Sequence, residues 1–355
     1  MMELTRRVLV VNPGSTSTKA GLYGEAGDAD AAVFRHEGAE LSSCRTIWDQ
    51  LNFRLEQVRA WLQGRSACAP VAVVSLGGLL RPLSGGVYRV TGRMLEDARE
   101  GKRGHHASNL GCAMAHDLAA GCGCPAYVAD PVSVDEMEPL ARYSGHPLIE
   151  RSSLSHALNI HATARKGAAA TGKRLEASRF VVAHLGGGIS VAPVRGGRIV
   201  DVNDASSGGP FSPERTGGLP AQGLIGLCFS GRYSEEEMRR LVMGQGGLRA
   251  YLGTASAAEV EARIRAGDET AREVYEAMAY QIAKEIGAMS TVLAGGVDAV
   301  LLTGGLAASE MLTRWIRERV GFLGPVLVFP GEGEMEALAE AAWRILRGEE
   351  TALEY

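Results

Sequence analysis

The sequence predicts an α/β protein of two domains, each built on a related strand–loop–strand motif. Its 355 residues are enough for two domains of ordinary size, each with its own buried core. Its 46 glycines cluster at the ends of apolar, β-branched runs, where glycine lets the backbone turn sharply and approach a ligand. Because strands rather than Ser or Gln tracts flank these clusters, they do not resemble low-complexity linkers.

The first strand–loop–strand motif lies near the start of the chain. Residues 7–11 form a short apolar run typical of a buried strand, and residues 19–23 resume as a strand after the polar loop 12–18. Helices are predicted over residues 46–63 and 109–120, and strands over 71–75 and 126–129. The first half therefore reads as a hairpin followed by α/β units.

The second motif begins half a chain later. A strand over residues 180–183 leads to His184 and the glycine run 186–188, and a strand resumes over 189–194. The elements predicted after it are a strand over 198–202, a helix over 269–293, a strand over 298–302 and helices over 309–320 and 334–346. Two such repeats describe a duplicated α/β protein with a ligand-binding cleft between its halves, although two unrelated glycine hairpins would give the same pattern.

Charge and hydropathy exclude several classes of function. The net charge is -4 and the longest cationic clusters are pairs, so neither nucleic acid nor an acidic membrane is expected as a partner. Charged residues or glycine interrupt each apolar run, which excludes a membrane span. No long apolar segment follows the basic pair Arg6–Arg7, so we expect no secretory signal and a cytoplasmic protein.

The six cysteines predict neither a disulfide framework nor a metal site. Only Cys122 and Cys124 lie close, and a C-x-C pair without a second pair is a weak metal signal. We expect buried or half-buried free thiols at all six positions, namely Cys44, Cys68, Cys112, Cys122, Cys124 and Cys228.

Two segments have the composition of a phosphate loop, and one of them is rejected. Residues 12–19 offer an amide, four hydroxyls and an ammonium in a short loop, which suits a phosphate chain. Residues 167–173 nearly spell the P-loop motif, but Arg174 follows where a Mg²⁺-binding hydroxyl is required. That segment also follows a helical pattern, so it is predicted to be a helix end with a glycine cap. No G-x-G-x-x-G follows a strand and opens a helix, so dinucleotide binding is not predicted.

Residues 10–19 resemble the N-terminal signature of the acetate and butyrate kinase family, in the Pro-Gly-Ser-Thr-Ser-Thr-Lys form of its butyrate branch. Further matching motifs run the length of the chain, at residues 106–111, 130–132, 135–141, 155–159, 183–190, 209–215, 302–307 and 330–338. The resemblance implies the duplicated actin-like (ribonuclease H-like) fold of the acetate-and-sugar-kinase, Hsp70 and actin superfamily. It implies domains at residues 1–150, completed by a C-terminal helix at 334–355, and at 151–333.

The resemblance also implies a reaction, in which butanoate and ATP give butanoyl phosphate and ADP with Mg²⁺ in the cleft of a homo-oligomer. A carboxylate with a pKa of about 4.3 is already ionised at neutral pH, so no general base is needed. The difficulty lies in bringing two anions together and stabilising charge on the transferring phosphoryl group. The expected site therefore contains cations, hydrogen-bond donors and carboxylates that hold Mg²⁺.

Arg215 matches the family arginine that contacts the transferring phosphoryl group; otherwise it would be a surface arginine paired with Glu214. His156 and His184 match two family histidines that donate hydrogen bonds near the γ-phosphate. By its own pattern His156 is equally typical of a structural histidine, whereas His184 ends a buried strand at a glycine loop.

Asp130 and Glu334 match the family's carboxylates on the Mg²⁺ side, and Asp130 also counts among the catalytic residues. Glu332 is an alternative to Glu334, whose acidic side chain also suits the first turn of a helix. The remaining ligand-binding residues implied are Asn12 (also for Mg²⁺), Ser15, Ser17 and Lys19 for phosphate, Gly186, Gly187 and Gly188 for the β-phosphate, and Gly304 and Gly305 for adenosine. Asn109 is a candidate for the substrate pocket, and His105–His106 are expected in a solvated loop.

One position departs from the family pattern. Butyrate kinases carry Arg-Gly-Gly-Leu-Leu where this chain has Leu76-Gly-Gly-Leu-Leu, so a substrate-side cation is missing. Either Arg81 or Arg89 substitutes, or the activity is low, or the substrate is altered. The alternatives are therefore a kinase for branched-chain or other carboxylates, and a non-catalytic nucleotide-binding relative.

Overall fold

The computed structural model describes residues 6–42, 44–65 and 70–355 and contains both strands and helices. The strands are β1 (Arg7–Pro13), β2 (Ser17–Gly24), β3 (Ala29–Arg35), β4 (Pro70–Ser75), β5 (Val87–Arg89), β6 (Ala126–Ala129), β7 (Tyr143–His146), β8 (Ile149–Glu150), β9 (Arg179–Leu185), β10 (Ile189–Arg195), β11 (Arg198–Ile199), β12 (Ala299–Gly304) and β13 (Val326–Pro330). The helices are α1 (Gly38–Ser42), α2 (Leu51–Gln63), α3 (Gly92–Glu100), α4 (Leu110–Cys122), α5 (Ala157–Thr171), α6 (Ala221–Cys228), α7 (Glu235–Val242), α8 (Gly247–Leu252), α9 (Ala257–Arg265), α10 (Glu269–Val292), α11 (Glu310–Val320) and α12 (Glu334–Leu346). Short 3₁₀ turns occupy Ile47–Gln50, Ala107–Asn109, Pro139–Arg142, Leu175–Ala177, Gly305–Ala308 and Gly321–Leu323.

The chain divides into two units, and unit 1 ends at Val134 and resumes over Gly333–Tyr355. Its sheet has the order β3-β2-β1-β4-β6-β5, with β1 antiparallel to β2 and parallel to β4. Residues of α2 and α4, including Leu55 and Met114, pack on Leu9 and its neighbours in the sheet. Helix α12 contacts β1 and β4 and buries Trp343.

Unit 2 comprises Asp135–Glu332, with a sheet in the order β11-β10-β9-β12-β13. Tyr275 and Ile282 of α10 lie in the core with Val181 of β9. Helix α5 packs on β9 and β12, and glycine at residue 167 allows this approach because a Cβ there would lie 2.5 Å from Leu301 Cδ1. The helix ends at Thr171 and is capped by Gly172 at φ +66, which confirms the predicted glycine cap and excludes a P-loop.

The two sheets repeat one topology, which confirms the predicted duplicated α/β fold. The order β3-β2-β1-β4-β6 in unit 1 corresponds to β11-β10-β9-β12-β13 in unit 2, with the same succession of antiparallel and parallel pairs. Residues 135–150, which the sequence assigns to the first domain, lie in unit 2. They are held there by hydrogen bonds such as Ile199 N to Glu136 Oε2 (2.8 Å) and Glu138 N to Val200 O (2.9 Å).

The strand directions place the predicted site residues at defined edges. In unit 1 the parallel strands β1, β4 and β6 end near Asn12, Leu76 and Asp130. In unit 2 the parallel strands β9 and β12 end near His184 and Gly304. Carboxyl ends of parallel strands share one edge of a sheet, where α/β proteins bind ligands.

The five cysteines within the described ranges are free, and one thiol prediction is wrong. Cys112 is buried, and Cys44, Cys122 and Cys124 are half-buried, as expected. Cys228 is exposed because α6, on which it lies, has no buried residue. Cys68 and the first five residues lie outside the described part of the chain.

Within the described ranges, no helix has the length and apolar character needed to cross a membrane.

Candidate active site

The loop between β1 and β2 in unit 1 is held from within by a buried arginine. Gly14 N donates to Ser17 O at 2.8 Å, which closes the turn. Arg54 of α2 is fully buried, and its Nη1 donates at 3.0 Å to Gly14 O, Ser17 O and Thr18 Oγ1. Burial lowers the pKa of Arg54 to about 10, so the side chain stays charged at neutral pH. These hydrogen bonds fix the conformation of the loop and place a positive charge behind it, which favours an anion.

Three of the predicted polar side chains of unit 1 come together beside this loop. Asn12 Nδ2 donates to Glu334 Oε2 at 2.9 Å, and Lys19 Nζ lies 4.0 Å from the same oxygen. Ser15 Oγ lies 3.3 Å from His106 Nε2. His105 and His106 are exposed, as expected for a solvated loop, but the contact with Ser15 places His106 at the site.

Asp130 follows β6 with an unusual backbone conformation. Its φ of 39° is rare for a residue other than glycine and costs about 1 kcal/mol or more. The side chain is buried, and its Oδ1 accepts a hydrogen bond from Gly86 N at 2.7 Å. Strain of this kind at a buried carboxylate on a ligand-binding edge is typical of a functional residue.

The two candidate glutamates near the end of the chain have different surroundings. The Glu334 carboxylate contacts Asn12 and Lys19 in unit 1. The main-chain oxygen of Glu332 accepts a hydrogen bond from Asn159 Nδ2 at 2.5 Å in unit 2. The geometry thus brings the carboxylate of Glu334 to the loop between β1 and β2.

The glycine loop 186–188 joins β9 to β10 in unit 2 and packs directly on Arg215. A Cβ at Gly188 would lie 2.4 Å from Arg215 Nη1, so a side chain at this position would push the guanidinium away from the loop. Arg215 is half-buried and donates from Nη1 to Ala205 O at 2.8 Å. Burial lowers the pKa of its guanidinium, which nevertheless remains charged at neutral pH. Glu214 lies 3.8 Å from Arg249, and its charge, with that of Asp204, partly offsets the effect of burial on the pKa of Arg215. Because Arg215 is half-buried, it is not the surface arginine of the alternative interpretation.

Ser212 connects the glycine loop to the segment that carries Arg215. Its Oγ donates to Gly187 O at 2.6 Å and accepts from Arg215 N at 3.1 Å. The sequence motif contains Ser212, but nothing in its spacing assigned it this positioning contact.

His156 and His184 form a stacked pair next to the same loop. Their ring centroids are 3.9 Å apart and the rings are tilted by 11°. His156 Nδ1 lies 2.9 Å from Ser190 Oγ, and His184 Nδ1 lies 2.8 Å from Asn159 Oδ1. Burial, together with nearby Arg215, lowers the pKa of His156 to about 4. Burial and the neighbouring His156 and Arg215 hold the pKa of His184 well below its usual value, so both rings are neutral at neutral pH.

The glycines predicted to face adenosine differ from each other. Gly304 has φ +89, and a Cβ there would lie 2.4 Å from Leu185 O, so the sheet itself requires this glycine. No atom lies within 4 Å of a Cβ at Gly305. Gly305 is therefore the glycine with open space for a ligand.

Neither Arg81 nor Arg89 takes the place of the missing family arginine. Leu76 is half-buried and directly follows β4. Arg81 is paired with Asp97 at 2.6 Å. Arg89 lies opposite Tyr127, two residues before the carboxyl end of β6, so β5 carries it away from the site edge.

Asn109, proposed for the substrate pocket, is fully buried and bonded to the main chain. Its Oδ1 accepts from Leu79 N at 2.8 Å, and its Nδ2 donates to Ala98 O and Gly104 O. The Asn109 side chain therefore uses its amide group to hold the neighbouring main chain in place.

Comparison with known proteins identifies the family of this chain. The model of the acetokinase family matches residues 154–327. A protein named probable butyrate kinase 2, from Caldanaerobacter subterraneus subsp. tengcongensis, is 50% identical over 347 residues, which cover 97% of this chain and 98% of the relative.

Solved structures share the fold. The acetate kinase of Porphyromonas gingivalis has a TM-score of 0.80 at 18% identity and covers 96% of this chain and 100% of its own. A propionate kinase of Francisella tularensis has a TM-score of 0.74 at 17% identity and covers 95% of this chain and 98% of its own. These likenesses confirm the predicted two-domain fold. The sequence match over nearly the whole chain shows that this protein belongs to the acetokinase family.

Proposed function

We propose that the protein transfers the γ-phosphoryl group of ATP to the carboxylate of a short-chain fatty acid, with butanoate as the substrate. The observation that carries the proposal is the contact of the Arg215 guanidinium with Gly188, beside two neutral histidines. A cation packed on a glycine loop can approach a phosphoryl group without a side chain in between. The name and 50% identity of the relative support butanoate.

In the proposed mechanism an ionised carboxylate oxygen attacks the γ-phosphorus in line with the bond to the leaving ADP oxygen. No group needs to remove a proton from the acid. Arg215 balances the charge that spreads over the transferring oxygens, and the backbone N–H groups of Gly187 and Gly188 bind the β-phosphate. Gly186 N already donates to Gly188 O at 3.2 Å within the loop. In unit 1, Ser15, Ser17 and Lys19 would bind phosphate oxygens or water molecules of Mg²⁺.

The donor set of unit 1 fits Mg²⁺ bound in part by phosphate. Within the described ranges no group of three or more His, Cys, Asp or Glu side chains is assembled for a metal ion. Asn12, Glu334 and Asp130 instead offer hard oxygen atoms at one sheet edge and its neighbouring helix. Mg²⁺ characteristically takes one or two carboxylates and completes its shell with water and phosphate. When bound there, it neutralises charge on the phosphates.

Turnover with a panel of acids from acetate to hexanoate, including branched acids, tests the proposal. Release of ADP from Mg-ATP is expected with the fastest turnover on butanoate. A faster branched acid would identify a branched-chain carboxylate kinase. Binding of Mg-ATP without turnover of any acid would contradict the proposal and identify a non-catalytic nucleotide-binding relative.

Replacing Leu76 by arginine tests whether the missing cation limits the rate. Leu76 stands at the carboxyl end of β4, where Arg81 and Arg89 do not reach. A restored cation facing two anions is expected to raise kcat/KM for butanoate by about 10²-fold. Leu76→Met preserves volume without charge and serves as the control. An unchanged rate in Leu76→Arg would show that this position is not limiting.

We also propose that copies of the chain associate through apolar surface on unit 2. Helix α6 is apolar yet has no buried residue, and Phe229 just after it is 86% exposed. Leu140 and Leu148 near the hairpin β7–β8 are 86% and 87% exposed. Covering such a patch is the usual role of a subunit interface. A mass in solution equal to that of one chain would contradict this association.

The cytoplasm, which supplies ATP, is the compartment we propose for this protein.

A further inference from the structure

A hydrogen-bond chain determines which nitrogen of His184 carries a proton. The main-chain oxygen of Glu332 can only accept, so the atom of Asn159 that faces it at 2.5 Å is the amide nitrogen. The amide oxygen of Asn159 must then face His184 Nδ1, at 2.8 Å. Because that oxygen also only accepts, Nδ1 of His184 carries the hydrogen. In the neutral ring, Nε2 consequently has no hydrogen and carries a lone pair.

This assignment changes the chemistry predicted for the site. A neutral His184 cannot donate from Nε2 to a phosphoryl oxygen, although the family resemblance implies a donor there. Ionised phosphoryl oxygens can only accept hydrogen bonds, so the lone pair of Nε2 would face another hydrogen-bond acceptor. A Cβ at Gly186 would lie 3.0 Å from Nε2, which places this nitrogen against the glycine loop.

The stacked partner is not restricted in the same way. His156 Nδ1 faces the hydroxyl of Ser190 at 2.9 Å, and a hydroxyl can donate as well as accept. His156 can therefore present an N–H at Nε2 while neutral. The two rings differ in their available roles even though they stack.

We propose that His184 binds the phosphoryl group as an imidazolium and that its Nε2 takes up a proton from solvent when nucleotide binds. One N–H bond forms, the proton comes from the buffer, and Asn159 acts as the positioning residue that directs it to Nε2. The inference rests on the proposed function, because it requires a phosphoryl group at the glycine loop.

The groups around His184 explain why the proton arrives only with the ligand. His156 on α5 stacks on the ring, and Arg215 is the cation next to the pair, whereas the paired residues Ser190 on β10 and Thr303 on β12 do not ionise near neutral pH. Burial, His156 and Arg215 all lower the pKa of the free ring. A phosphoryl dianion within contact raises that pKa, since opposite charge favours the protonated form.

The linkage between proton uptake and nucleotide binding gives the sign of the expected pH dependence. Between the free and the bound pKa of His184, binding takes up a proton, so the association constant falls by about tenfold for each unit of rising pH. Above the bound pKa the uptake stops and the pH dependence ends. Calorimetric titration of Mg-ATP in buffers of different ionisation enthalpy measures the uptake directly.

The wild-type protein is expected to take up about one proton per Mg-ATP near neutral pH, above the phosphate pKa of about 6. Adenosine, which lacks phosphates, should cause none. His184→Gln should abolish the uptake, and the control His116→Gln, at an exposed histidine paired with Asp117, should preserve it. Asn159→Asp places a carboxylate at Nδ1 and should reduce the uptake, because the free ring is then already protonated.

Two results would overturn the inference: Mg-ATP binding with no uptake in the wild type, or full uptake in His184→Gln. Should His184→Gln fail to bind, nitrogen NMR of the wild-type imidazoles decides, with Nδ1–H in the free protein and both nitrogens protonated in the complex. A wild-type ring that stays neutral with nucleotide bound contradicts the inference. Absence of Mg-ATP binding altogether would instead refute the proposed function and the site with it.

Discussion

Replacing Arg215 by glutamine is expected to lower kcat for butanoate by about 10²–10³-fold, the cost of removing one group that stabilises transition-state charge. The guanidinium lies against Gly188, and Ala205 O is its only hydrogen-bond acceptor among the described residues. Because no carboxylate within the described ranges is hydrogen-bonded to it, the guanidinium can still donate to a phosphoryl group. Because the interaction strengthens as charge develops, kcat should fall more than KM for ATP rises.

Arg249→Gln is the matched control for this experiment. Arg249 lies on the nearby helix α8, is half-exposed and is 3.8 Å from Glu214. An exposed pair of this kind contributes little, so activity and thermal unfolding should remain close to the wild type. Equal losses of kcat in the two variants, or an unchanged kcat in Arg215→Gln with intact folding, would remove Arg215 from the mechanism.

Gly304→Ala is expected to lower the free energy of unfolding by about 2–4 kcal/mol. Alanine at φ +89 is strained, and its Cβ would lie 2.4 Å from Leu185 O in the main chain of the neighbouring strand. Backbone cannot move aside as a flexible side chain can, so the strain adds to an overpacking cost of about 1–3 kcal/mol. Denaturant titration followed by tryptophan fluorescence and by far-ultraviolet circular dichroism measures the change.

The next residue supplies the control. Gly305 has open space around a Cβ, so Gly305→Ala should change stability by no more than about 0.5 kcal/mol. If adenosine lies against Gly305, the same substitution should raise KM for ATP while leaving the unfolding midpoint in place. Equal destabilisation by both substitutions would contradict the distinction between a structural and a ligand-facing glycine.

The sequence predicted the fold well where burial is continuous. The strand Ala126–Ala129 and the helix Glu334–Leu346 have the predicted bounds, because apolar runs and periodicity report burial directly. Helices α6 to α9, between residues 221 and 265, were not predicted. Helix α6 has no buried residue and hence no burial period to detect, whereas the capping box of Ser234 and Glu237 was a usable signal for α7.

In the candidate site, resemblance supplied the residues proposed to face a ligand, and the structure supplied those that hold them. Arg54 contacts the loop between β1 and β2 from about 40 positions away, so no local pattern reveals the contact. Its spacing of four from Gln50, to which it donates at 2.8 Å, was the only local sign. Asn159 likewise stands one helical turn from His156 but binds His184, a partner that only the packing of α5 on β9 brings near.

Unit 1 is assembled from both ends of the chain, and this has a consequence for the order of events on the ribosome. Unit 2 is one continuous segment, Asp135–Glu332, and each of its strands has been synthesised before α12 begins. Unit 1 lacks the helix that buries Trp343 until residues 334–346 emerge. The part of the protein that starts first therefore finishes last, and β1 and β4 keep an uncovered apolar surface for most of translation.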